Sequence, residues 1–334
     1  MKKRILAVLI ATALAVSVTG CAGNATSSSD STSASSVAES SDTSTQTSSD
    51  ASSEDESKEE SSQEESKDLE ANYTKYTLDG DLTQHMIDMS RLNEGNKVRL
   101  ANVIKKLKNG EEVTVGFIGG SITQGTSAGN DLCYAKLTAD WLQKIYSNAK
   151  INYVNAGIGA TGSYIGVHRV ANDLLSKKPD LVFVEFSVND TTENTERNKK
   201  SYDGLLRTIW KSSTNPAIIT IATTQEDGTS FQDQHAEIVK HYDLPMISYR
   251  NTILDTIKHG DIVWKDISDD NIHPNVPGHK IVSQLLQAYI SDVDKDVDNI
   301  SGSESDFTTP ATDAPIENGS LIQPSSATDV TATG

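Results

Sequence analysis

The chain of 334 residues carries 47 acidic against 29 basic side chains, a formal net charge of −18, and is 36% hydrophobic. By segment the charge is uneven: residues 1–21 hold three bases and no acid, 22–72 hold 13 acids against Lys58 and Lys67, and 299–334 hold five acids and no base. The acidic balance argues against a nucleic-acid binder, the two cysteines exclude a disulfide framework, and no apolar run after residue 20 is long enough to span a bilayer.

In chain order, Lys2, Lys3 and Arg4 precede an apolar run from Ile5 to Val18, and Val18-Thr19-Gly20-Cys21 follows. This is the three-part layout of a secretory signal. The small residues before Cys21 resemble the lipobox of bacterial lipoproteins. That resemblance implies a diacylglycerol on the Cys21 thiol and an anchor at the extracellular face of the cell membrane, with a plain signal peptide as the alternative. Residues 22–72 are almost entirely Ser, Thr, Ala, Glu and Asp. Such a stretch buries too little apolar surface to offset its ordering entropy and reads as a disordered tether, averaging roughly 40 Å end to end.

Residues 73–298 are the folded part, enough for one large core or two small ones, since single domains commonly run to about 250 residues. Val98 to Leu107 repeat at helical spacing and stop at Asn109-Gly110, a helix C-terminal signal. β-Branched runs follow at Val113–Ile118, Ile151–Val154, Leu181–Phe186 and Ala217–Ala222, with a weaker one at Pro245–Tyr249. Amphipathic stretches at 131–147, 164–178, 201–213, 232–242 and 277–292 separate and follow them. Alternating strands and helices, with near-continuous apolar strands, predict a parallel sheet covered on both faces. The tail 299–334, rich in Ser, Thr, Asp and Pro, reads as disordered.

Ligands of parallel sheets sit at the carboxyl ends of the strands, so the residues there carry the functional reading. After the first strand stands Gly119-Gly120-Ser121-Ile122-Thr123-Gln124-Gly125, neither a G-x-S-x-G elbow nor a phosphate-binding loop. After the second comes Asn155-Ala156-Gly157-Ile158-Gly159-Ala160-Thr161-Gly162, and after the third Ser187-Val188-Asn189-Asp190. Late in the chain, Asp270-Asn271-Ile272-His273 places a carboxylate three residues before an imidazole, within reach of its Nδ1 proton.

These four blocks in this order resemble the SGNH hydrolases, the GDSL esterase superfamily, over about residues 110–292. The resemblance implies a three-layer α/β/α sandwich around a parallel sheet of about five strands. It implies Ser121 as nucleophile, His273 as general base and Asp270 as the group orienting it. The oxyanion hole would comprise the Ser121 N–H, a second-block N–H and the Asn189 side chain. Counting from Asn155, the second-block position falls on Ala160, where the family usually has glycine; an alanine serves if φ need not be positive, and Gly159 is the fallback. Gly120 stands where many members have aspartate, and Ser187 where glycine or alanine is common. No step of this chemistry requires a metal or an organic cofactor.

Other residues read more plainly. His279 packs or caps near the last helix, and the remaining histidines share no ligand-like spacing, so no metal site is expected. Asp270 is preferred over Asp269 on spacing. Glu185 and Asp190 are expected to make structural hydrogen bonds rather than a glycosidase pair, and Cys133 to be a buried small residue. Relatives with a Gly-Gly-Ser-Ile-Thr block resemble carbohydrate deacetylases, which implies an acetylated extracellular polysaccharide as the substrate. A lipase or lysophospholipase, an O-acyltransferase and a non-catalytic binding module are the alternatives. Trp141, Trp210 and Trp264 are the candidate sugar-stacking platforms.

Overall fold

Alternate side chains along each strand serve opposite faces of one sheet, which gives the molecule two cores. The computed structural model describes residues 73–191, 194–317 and 319–321. The signal segment with Cys21 and the 22–72 tether lie outside these residues. The strands are β1 (Arg91–Asn93), β2 (Glu112–Gly119), β3 (Lys150–Gly157), β4 (Leu181–Glu185), β5 (Ala217–Ala222) and β6 (Met246–Ser248), in the order β1-β6-β5-β4-β2-β3. β2 to β6 pair in parallel, whereas β1 joins β6 antiparallel with Arg91 opposite Ile247. The five expected strands are present; the three-residue β1 is too short to declare itself by pattern.

On β4, Leu181 and Phe183 enter one core while Val182 and Val184 enter the other. The first core is covered by α1 (Gln84–Ser90), α2 (Val98–Lys108), α4 (Tyr134–Ile145), α8 (Tyr249–Lys258) and α10 (Val276–Lys295). The second is covered by α5 (Ser163–Asp173), α6 (Thr195–Trp210) and α7 (Gln232–His241). Two short helices, α3 (Ser121–Gln124) and α9 (Trp264–Ile267), lie in connections. The result is the expected three-layer α/β/α sandwich.

The helix α8 escaped the hydrophobic pattern because part of its buried face is threonine. Thr252 and Thr256 are buried, and their hydroxyls donate to the Ser248 and Thr252 carbonyls at 3.0 and 2.7 Å. Ser248 also caps the helix, accepting the Asn251 N–H at 2.9 Å.

The expectation of a disordered tail is corrected for residues 299–317: Ile300 packs against the first core and Glu304 pairs with Arg99 of α2 at 2.7 Å, and from Phe307 the segment runs across the second core's helices. The Phe307 ring is stacked between Trp210 at 4.5 Å and Tyr242 at 3.9 Å. Asp203 accepts both the Thr312 N–H and its hydroxyl at 2.7 Å, and Glu317 pairs with Arg207 at 2.5 Å and Lys211 at 2.6 Å. Ile316 crosses α6 at Gly204, where a Cβ would come within 1.8 Å of the Ile316 carbonyl oxygen. One aromatic and a few polar clamps hold the segment, so its composition gave no sign of order. Residues 322–334 lie outside the described ones.

From β2, which lies between β4 and edge strand β3, the chain passes over the first face to β3, then returns over the second face to β4 on the other side of β2. That reversal opens a crevice at the carboxyl ends of these strands, where such sheets bind ligands.

Candidate active site

The sharp exit from β2 depends on glycines where backbone meets backbone. A Cβ on Gly157, at the end of β3, would stand 2.3 Å from the Gln124 nitrogen. Gly120 precedes α3 with φ −86° and ψ −147°, and Ser121 opens that helix, so its N–H lies in the first turn with no intrahelical acceptor. A Cβ on Gly120 would lie 1.9 Å from Asn189 Oδ1. The third-block asparagine is therefore seated directly against the residue before Ser121, and a side chain at position 120 would require the Asn189 carboxamide to shift.

His273 reaches the same point from the loop between α9 and α10. Its Nε2 is 3.0 Å from Ser121 Oγ, and its Nδ1 is 2.8 Å from Asp270 Oδ2. The other Asp270 oxygen accepts the Ile272 and His273 N–H groups at 2.7 and 2.6 Å. Burial acts to raise the Asp270 carboxyl, but these hydrogen bonds outweigh it and hold the group below the usual carboxylate range. Trp264 Nε1–H donates to the Asp270 carbonyl at 2.7 Å, and the Ser268 hydroxyl lies between the Asp270 and His273 carbonyls at 2.8 and 2.6 Å. It is thus Asp270, not its competitor Asp269, whose carboxylate meets the His273 ring.

In the second block the condition attached to an alanine fails: Ala160 has φ +58°, in the left-handed region. The side chain tolerates it at a cost of about 1 kcal/mol. The Gly159 N–H donates to Gln124 Oε1 at 2.8 Å, so the fallback donor is already engaged. Ala160 is exposed on the same loop.

Arg169, which sequence reasoning passed over, ties the two catalytic-side strands together. It is 2% exposed, and its guanidinium donates to the Ala156 carbonyl at 2.5 Å, the Gly119 carbonyl at 3.0 Å and Asp173 at 3.2 Å. Burial lowers its pKa, and the hydrogen bond and charge of Asp173 oppose that shift. No local pattern marks it, because the two carbonyls it joins come together only in the fold.

The other polar residues are structural, as expected. Glu185 is fully buried and accepts from Thr223 at 2.7 Å and Ser187 at 3.3 Å; burial pushes its carboxyl up to about 7, against those hydrogen bonds. Asp190 accepts the Ser163 N–H at 2.8 Å and pairs with buried His235 at 2.9 Å. His279 accepts the Tyr134 N–H on Nδ1 at 3.1 Å, and burial lowers its pKa to about 4. Cys133 is buried and donates to the Asn130 carbonyl.

Two expectations change. Trp210 is buried under Phe307 and Trp264 is buried and braces the Asp270 loop, so neither offers a sugar platform, whereas Trp141 packs against the first core and is only partly buried. The histidines are less scattered than their spacing implied. His85 and His259 meet Asp255, with all three ligand atoms within 4.8 Å, an arrangement that could hold a cation. Here the atoms are joined by hydrogen bonds, with His85 Nε2 2.6 Å from Asp255 Oδ2.

Residues 117–281 match the model of the GDSL-like Lipase/Acylhydrolase family. Two solved structures of a two-domain esterase (CEX) active on acetylated mannans are similar, one co-crystallized with mannopentaose. They are 37% and 38% identical over 68% of this chain, with TM-scores of 0.63 and 0.65. The chain spans 60% and 61% of the length of those structures. No curated protein matches by sequence. The four blocks, the sheet that presents them and the family match together show that this chain carries a GDSL-like lipase/acylhydrolase (SGNH) domain.

Proposed function

We propose that the protein is a serine ester hydrolase that removes acetyl groups from a polysaccharide. The observation that carries the chemistry is the continuous path from Ser121 Oγ through His273 to Asp270, at 3.0 and 2.8 Å. Ser121 attacks the ester carbonyl while His273 takes its proton on Nε2. Asp270 holds the imidazole by Nδ1 and stabilises the imidazolium that forms. The oxyanion is met by the N–H groups of Ser121 and Ala160 and the Asn189 carboxamide, each such donor contributing about 3 kcal/mol to the transition state. The alcohol leaves with the proton from His273. Water then attacks the acetyl-enzyme, with His273 as base again, and releases acetate.

The substrate reading rests on the similarity to esterases active on acetylated mannans. Lipidation at Cys21 would place the site at the extracellular face of a membrane, among such polymers. The test is acetate release from acetylated mannan and xylan, compared with p-nitrophenyl esters of two to twelve carbons. The Ser121→Ala variant should retain its far-UV spectrum and lose both activities. A preference for long acyl chains would make the protein a lipase.

A further inference from the structure

A pocket of about 290 Å³ adjoins the proposed site on the side of edge strand β3, lined by Gln124, Asn130, Tyr153, Asn155 and Gly157. Its size is near the lower end for small-ligand sites, which begin at about 300 Å³. Gln124 connects it to the nucleophile. This residue follows Ser121 within α3 and holds the Gly159 N–H, and a Cβ on Gly159 would stand 2.9 Å from Gln124 Oε1 and 3.8 Å from Ser121 Cβ. A group lodged in this pocket therefore borders the reacting ester.

The lining selects a kind of ligand. It comprises three carboxamides, a phenol and a glycine, with no aliphatic and no charged side chain. An acyl chain would desolvate the amides without pairing them, whereas a ring of neutral hydroxyls pairs with both their donors and their acceptors. The floor is fixed: Asn155 Nδ2 donates to the Thr123 carbonyl at 2.8 Å and to Tyr153 Oη at 3.1 Å, and its Oδ1 accepts the Gly157 N–H at 2.8 Å. Gln124 and Asn130 are exposed to the solvent that a ligand would displace, with Gln124 Oε1 already held by the Gly159 N–H.

We propose that this pocket is a sugar subsite, taking an uncharged pyranose unit of the polysaccharide next to the ester, with Asn130 and Gln124 as its hydrogen-bonding specificity residues. The proposal rests on the polysaccharide deacetylase reading above. Its test uses the full domain and two substrates, an acetylated manno-oligosaccharide and p-nitrophenyl acetate. In Asn130→Ala the ratio of kcat/KM for the oligosaccharide to that for p-nitrophenyl acetate should fall about tenfold, through KM, as for the loss of one or two neutral hydrogen bonds. Unacetylated mannopentaose should competitively inhibit p-nitrophenyl acetate hydrolysis by the native protein, about tenfold more weakly in Asn130→Ala. An unchanged ratio, or mannopentaose inhibition equal in the two proteins, overturns the subsite. If the native protein cleaves p-nitrophenyl acetate but no acetylated glycan, the deacetylase reading falls instead, and the mannopentaose inhibition alone decides the subsite.

Discussion

The Oδ1 atom of Asn189 fills the space that a side chain on Gly120 would need, only 1.9 Å from where a Cβ would stand. A substitution at either residue therefore disturbs the other. In Gly120→Ala the carboxamide must move, and the donor proposed for the oxyanion moves with it. Both Gly120→Ala and Asn189→Ala should lower kcat on p-nitrophenyl acetate by about 10²- to 10³-fold with little change in KM. Native-like kcat in Asn189→Ala would remove it from the oxyanion hole.

Asp270→Asn replaces an acceptor by an amide at the His273 ring nitrogen and should lower kcat by about 10⁴-fold through the wrong imidazole tautomer. Because the folded carboxyl is held below its ordinary value, its stabilising contribution is present above the unfolded value and is lost as pH falls through the folded one. Acid unfolding of the native protein and the variant should therefore converge at the lowest pH, as followed by circular dichroism from neutrality downward.

Glu185 titrates in the opposite sense. Its folded value of about 7 lies above that of an unfolded glutamate, so its contribution is complete below about pH 4.5 and is lost as pH rises to about 7. The stability of the native protein relative to Glu185→Gln should fall across that window by on the order of 3 kcal/mol and stay level above it. Urea unfolding at pH 5 and pH 8 measures the difference. A pH-independent difference would mean that the buried carboxyl is not the titrating group.

Arg169→Met should destabilise the fold by about 3 kcal/mol, since the buried carbonyls of Gly119 and Ala156 would lose their donor. Those carbonyls end the strands leading to Ser121 and Ala160, so kcat should fall as well. Lysine should restore little, because an ammonium lacks the planar fork that bridges two acceptors. Thermal melts and kcat measured on the same variants separate the two effects.

Phe307→Ala should cost about 3 kcal/mol, as for other aromatic truncations in a core. Removing residues 299–334 should lower the melting temperature further, by releasing Asp203 and Arg207 from their partners. A truncated domain that melts with the native one would mean that the segment does not contribute to stability.

The strands and the site blocks could be read in the sequence because each is local: apolar runs of strand length, and Asp270 three residues from His273. What could not be read depends on distant chain. Arg169 is legible only once Gly119 and Ala156 lie side by side. The gathering of His85 with Asp255 needs α1 and α8 in contact. The left-handed turn at Ala160 hides behind a residue that ordinarily avoids it, and the 299–321 segment hides behind a composition typical of linkers.

That segment also sets an order of events. Residues 299–321 leave the ribosome after all six strands, and until they arrive the faces of Trp210 and Tyr242 that receive Phe307 are open to water. Closure of the second core thus waits on a segment made after the sheet, and a chain not yet extended to Phe307 displays an aromatic cleft that Phe307 later covers.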